Sequence, residues 1–173
     1  MASKKRQKIN YSDGDYYSEG DCFVFPLTEG GFARGVIARH DLACDRPIGA
    51  VLGYFFSPIY NMQSEAVVLE DLKCENAIFV KIFSDLGLIE DRWKIIGKVV
   101  PWIKEDWPVP IFGQVQLNNL GELRRYDERT LDFNPSLSIR VSASEAMAYP
   151  QDGFAGHRFI EGKVSMILHN ISQ

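Results

Sequence analysis

Three apolar runs separated by turn residues fill most of the first third of the chain, and they constrain its fold more than any other feature. Residues 21–27 (DCFVFPL), 31–40 (GFARGVIARH) and 49–57 (GAVLGYFFS) are of strand length and rich in Phe, Val and Ile. Such a series predicts a β-meander. The first connection, Thr28-Glu29-Gly30-Gly31, supplies glycines where a tight hairpin needs positive φ. In the second run Phe32, Arg34, Val36 and Ala38 alternate against Ala33, Gly35, Ile37 and Arg39, which gives a strand with two usable faces. Gly35, Gly49 and Gly53 lie inside strand patterns, where glycine marks a bulge, a bend or the close approach of another group. Strong curvature of the sheet follows.

Beyond the meander the pattern alternates between strand and helix. Glu65 to Leu72, with Ser64 as a cap, is expected to be helical despite the β-branched pair Val67-Val68. Residues 77–83 (AIFVKIF) form a near-continuous apolar run that belongs in the core, and 84–91 (SDLGLIED) predict a helical turn or two before Trp93. A strand over Lys94 to Val100 comes next. Residues 101–110 (PWIKEDWPVP) hold three prolines and two tryptophans, which excludes a helix or a central strand and predicts a fixed loop pinned by its indoles. Residues 111–117 (IFGQVQL) are expected to resume the sheet, and 137–144 (LSIRVSAS) alternate as a further strand. Phe159, Ile160, Val164, Ile167, Leu168 and Ile171 recur at helical spacing and should cap one sheet face.

The expected fold is therefore α+β: a strongly bent, mainly antiparallel sheet, partly barrel-like, with a C-terminal amphipathic helix. A length of 173 residues suits one domain, placed at 19–173 after a flexible polar tail at 1–18. The composition, 46% hydrophobic and 24% charged, is that of a chain that folds by itself. Cys22, Cys44 and Cys74 are odd in number and widely spaced, with no CxxC pair, which fits a reducing compartment. The basic N-terminus MASKKRQKIN leads into no apolar stretch, and no later window reaches the roughly 18 apolar residues of a membrane span. A cytoplasmic location without membrane association is the expectation.

Neither catalysis nor a cofactor is legible. His40, His157 and His169 lie in no nucleophile motif, and His169 falls in the last turn of the C-terminal helix, where a cation suits the dipole. His40-Asp41 is the one adjacent metal-type pair, but neighbouring strand residues point to opposite faces. Gly30-Gly31 lacks the lysine and helix start of a phosphate loop. The run Lys4, Lys5, Arg6 and Lys8 reads as a solvated tail, and a net charge of −4 with pI near 5.4 counts against nucleic acid as a partner.

The acidic balance points instead to a basic partner, although mild acidity also serves solubility. Two acidic clusters are candidate partner-binding surfaces. Asp13, Asp15 and Glu19 are interleaved with Tyr16 and Tyr17, a mixture of rigid contact area and steering charge; the plainer reading is a flexible acidic leader. Glu65, Glu70, Asp71 and Glu75 form the second, for which the plainer reading is a solvated helix face.

Gly20-Asp21-Cys22-Phe23-Val24-Phe25-Pro26-Leu27 followed by Gly31-Phe32-Ala33-Arg34-Gly35-Val36-Ile37 resembles the opening of immunity protein family 26. Gly49 to Tyr54, Ile78-Phe79-Val80, Arg92-Trp93-Lys94-Ile95-Ile96-Gly97 and Pro110-Ile111-Phe112 continue the likeness in order and spacing over about residues 18 to 115. The resemblance implies a cytoplasmic antidote that binds a cognate bacterial toxin and occludes its active site. A nuclease toxin with a basic groove would suit the acidic surface. The same family label is attached to a small organophosphate hydrolase, so a phosphotriesterase-like activity stands as the enzyme alternative. A module holding a peptide in an aromatic cage is a third; it requires Tyr54, Tyr60 or Trp102 to be exposed.

Overall fold

The computed structural model describes residues 16–41, 49–59 and 72–171. Strands β1 (Asp21–Pro26), β2 (Phe32–His40) and β3 (Ala50–Ile59) pair in succession, antiparallel, as the three apolar runs predict. The β1–β2 turn closes through Gly30 and Gly31, at φ +95° and +79°, so both glycines take the left-handed conformation the hairpin requires. Strand β4 (Phe79–Ser84) adds to the far side of β3. After one short helix, α1 (Leu86–Ile89), strand β5 (Lys94–Lys98) returns to the other edge against β1. The order is β4-β3-β2-β1-β5.

Register slips at Ala33/Arg34 and Ile37/Arg39 against β3, and at Cys22/Phe23 against β5, supply the curvature that the strand glycines foretell. Gly35 lies opposite Phe23, and a Cβ there would stand 2.2 Å from the Phe23 ring. The sheet stays open; it does not close into a barrel.

One expectation is corrected. Residues 111–117 do not rejoin the first sheet but begin a second, of β6 (Phe112–Val115), β7 (Leu120–Arg124) and β8 (Ile139–Ser142) in that order. Three prolines between Pro101 and Pro110 lack the donor that a continued ladder with β5 needs, so the chain turns away before it pairs again. Helix α2 (Ala143–Met147), capped by Ser142 accepting from the Glu145 amide, lies directly on this small sheet. It can do so because Gly113 has no side chain: a Cβ would stand 1.8 Å from the Ala146 carbonyl oxygen. Gly113→Ala should therefore lower stability by about 1–3 kcal/mol, read as a fall in thermal midpoint. An unchanged midpoint would mean that α2 is not seated there.

The first sheet is covered on both faces. On one, Phe23, Phe25, Phe55, Phe83 and Trp93 pack under Ile160 and Val164 of α3 (His157–Ile171), so the C-terminal helix caps the sheet as expected. Its apolar stripe is narrower than the spacing suggests, because Phe159 and Ile171 are exposed. The other face gathers Val36, Leu52, Tyr54, Phe56, Trp107 and Phe112. Burying Tyr54, with its hydroxyl donating to the Pro108 carbonyl at 2.5 Å, removes it as the wall of an open aromatic cage. Trp102 is half-buried, stacked on Trp107, and Tyr60 lies outside the described residues. The helix expected over Glu65 to Leu72 also lies outside them, save Leu72, which is buried.

Candidate functional site

Among the described residues, two places bring together side chains with chemical potential. The first joins the sheets. Arg124 donates to Asp152 at 2.7 Å and to Glu122 at 2.9 Å, Tyr126 donates to Asp152 at 2.5 Å, and the Arg124 guanidinium lies 4.5 Å over the Phe133 ring. Lys81 of β4 donates to the carbonyls of Gln151 and Asp152 at 2.6 and 2.9 Å. Burial pushes the Lys81 ammonium pKa down, opposed by the Asp152 carboxylate. Burial, then Asp152, pushes the Tyr126 phenol up. A lysine, a tyrosine and an aspartate at these distances suggest proton transfer, yet each is engaged by the others or by the backbone and Lys81 is closed to solvent. Segment 150–155 bridges to β6 at Gln151 and to β4 at Ala155, so the network fastens the two sheets.

The second place is open. Leaving β5, the chain is held by the Val99 amide donating to Gly20 O at 2.9 Å, then runs through Pro101 and a single 3-10 turn, Lys104–Asp106, to Pro108. The indoles pin this loop as expected: Trp107 is buried edge-on to Tyr54 and Phe56, and Trp102 stacks on it at 5.7 Å. Arg39 reaches the Lys104 carbonyl at 3.2 Å from below, and Glu19 holds the Lys104 ammonium at 3.0 Å. Opposite stands a second 3-10 turn, Cys74–Asn76. Between them lies a cleft of about 650 Å³ with Leu72 and Trp107 among its buried lining residues and Val100, Ile103, Glu75, Glu105 and Asp106 among its exposed ones.

The electrostatics of the cleft are acidic. Among the described residues, three carboxylates line it against one ammonium, Lys73. Burial raises the Cys74 thiol pKa, and Glu75, which accepts from it at 3.6 Å, and Asp106 raise it further. Carboxylates from both turns thus act on one thiol. Cys22, by contrast, is wholly enclosed, its pKa pushed up to about 12 by burial and then by Asp21, so it is an inert core residue.

Of the residues singled out in the sequence, Glu75 is on the cleft and Glu19 fastens its wall through Lys104. Tyr16 is exposed, whereas Tyr17 is half-buried, its hydroxyl donating to Asp85 at 2.9 Å and its ring edge-on to His40 at 5.5 Å. Burial lowers the His40 pKa. Asp13, Asp15, Glu65, Glu70 and Asp71 lie outside the described residues. Glu105, Asp106, Val100 and Ile103 are additions of the structure; their one signal in the sequence was charge inside a proline–tryptophan loop. Among the described residues no three His, Cys, Asp or Glu side chains converge as a metal-ligand set, and no helix is long and apolar enough to cross a membrane.

A family model described as immunity protein 26 matches residues 18–121, which takes in the five-stranded sheet and the cleft. No curated protein and no solved structure matches the chain.

Proposed function

The chain belongs to the immunity protein 26 family, and on that premise we propose that it binds a cognate bacterial toxin in the cytoplasm of the producing cell and neutralises it by occluding the toxin's active site. Family membership is the observation that carries this reading. Acidic residues gathered on an open cleft support it, because negative charge steers a basic partner such as a nuclease groove into contact. Protection then arises from stoichiometric binding, with no turnover.

Co-expression with the toxin encoded beside this chain is the test. Growth should be restored, a one-to-one complex should be isolated, and its association should slow as salt is raised. Persistent growth arrest despite soluble, folded chain would remove the proposal.

A further inference from the structure

We infer that the cleft between the two 3-10 turns receives a lysine- or arginine-bearing loop of the toxin, the aliphatic stem lying on Val100 and Ile103 and the cationic head among Glu75, Glu105 and Asp106. This rests on the immunity reading and names the surface through which it works. Lysine and arginine pair an apolar stem with a charged head, and the cleft offers both kinds of surface. Val100 is 85% exposed and Ile103 44%, beside the buried Leu72 and Trp107, so an occupant removes apolar area from water that the fold leaves open. About 650 Å³ is room for several residues of a loop, well beyond a single ion.

Charge selects the sign of the occupant. Glu75 and Asp106 both act on Cys74, so the two 3-10 turns present their carboxylates to the same part of the cleft, where an incoming cation is attracted by both. Among the described residues one ammonium, Lys73, lines the cleft against these three carboxylates, and Lys104, their neighbour in sequence, is paired with Glu19. The walls are also preorganised. Tyr54 on Pro108, Arg39 on the Lys104 carbonyl and Trp102 on Trp107 hold one side before any partner arrives, which reduces the ordering cost of association.

The experiment titrates the toxin encoded beside this chain into three full-length proteins: wild type, Glu75→Lys/Glu105→Lys/Asp106→Lys, and a control set Glu29→Lys/Glu90→Lys/Glu145→Lys. All six positions are exposed, so wild-type melting curves are expected for both variants. Both change net charge equally, which separates the cleft from overall steering. The cleft variant should weaken binding about 100-fold and lose protection in cells, the control no more than about fivefold. In a Cys44→Ser background, the toxin should also slow alkylation of Cys74. Equal binding by the two variants, or an unchanged Cys74 rate in the saturated complex, overturns the inference and leaves the immunity reading standing. Failure of the wild-type chain to bind or protect overturns both.

Discussion

Truncating Trp93 to alanine is expected to lower the unfolding free energy by about 3–5 kcal/mol, a large share of the roughly 5–15 kcal/mol that holds a domain of this kind. The indole is 1% exposed. It stacks on Phe23 with centroids 5.2 Å apart and planes 3° from parallel, and touches Phe25 at 5.1 Å and Phe83 at 5.3 Å. Its other side rests on Gly87, where a Cβ would come within 2.8 Å of the ring. Alanine would leave a void walled by phenyl rings held in place by three strands, β1, β3 and β4, so little collapse can offset the loss. A second cost is polar: Trp93 Nε1 donates to Glu161 at 3.0 Å inside the core. Trp93→Phe isolates it, keeping most of the volume while losing the donor, for a smaller cost of about 1–3 kcal/mol. Urea unfolding of the three proteins gives the comparison, and an unchanged midpoint for Trp93→Ala would mean that the indole is not a core residue.

Why β1 to β4 were legible in the sequence and Glu161 was not follows from the range of the interactions. Period-2 alternation, the Gly30-Gly31 turn and the apolar run before Ser84 are local signals, and β1 to β4 follow from them in order. The return of β5 to β1 and the diversion of residues 111–117 into a second sheet are decisions among partners tens of residues apart. A strand pattern says that a segment pairs, not with what. Helix α3 was visible through Ile160 and Val164, but the charge between them breaks the apolar rule. Glu161 is tolerated there because Arg92 and Trp93, from the far side of the sequence, meet it.

The cleft was legible in the same partial way. Glu75 stood out within an acidic cluster, whereas Glu105 and Asp106 were hidden in a segment whose prolines and tryptophans announce scaffold. That segment is indeed pinned by its indoles. Its 3-10 turn becomes half of a site only because the Cys74 turn comes to face it, an approach that neither stretch encodes alone.

Replacing Glu161 with alanine is expected to cost about 3 kcal/mol near neutral pH and to remove a component of acid sensitivity. The carboxylate accepts from Arg92 Nε and NH2 at 2.7 and 2.6 Å and from Trp93 Nε1 at 3.0 Å, which ties α3 to the first sheet. Without it the buried indole N–H has no acceptor. The Arg92 side chain is 41% exposed and can be hydrated, which keeps the cost below that of stranding a fully buried charge. Burial drives the Glu161 pKa up, but the hydrogen bonds from Arg92 and Trp93, with the charges of Arg92 and His157, outweigh it and hold the group below its ordinary 4.5. The unfolded chain therefore takes up this proton first as pH falls. The stabilisation is complete above about pH 4.5 and is lost as pH drops through the lower folded value. Urea midpoints of wild type and Glu161→Gln, measured from neutral pH into this acid range, should converge as the wild-type carboxylate is protonated. Parallel curves would mean that Glu161 titrates no differently in the folded and unfolded chains.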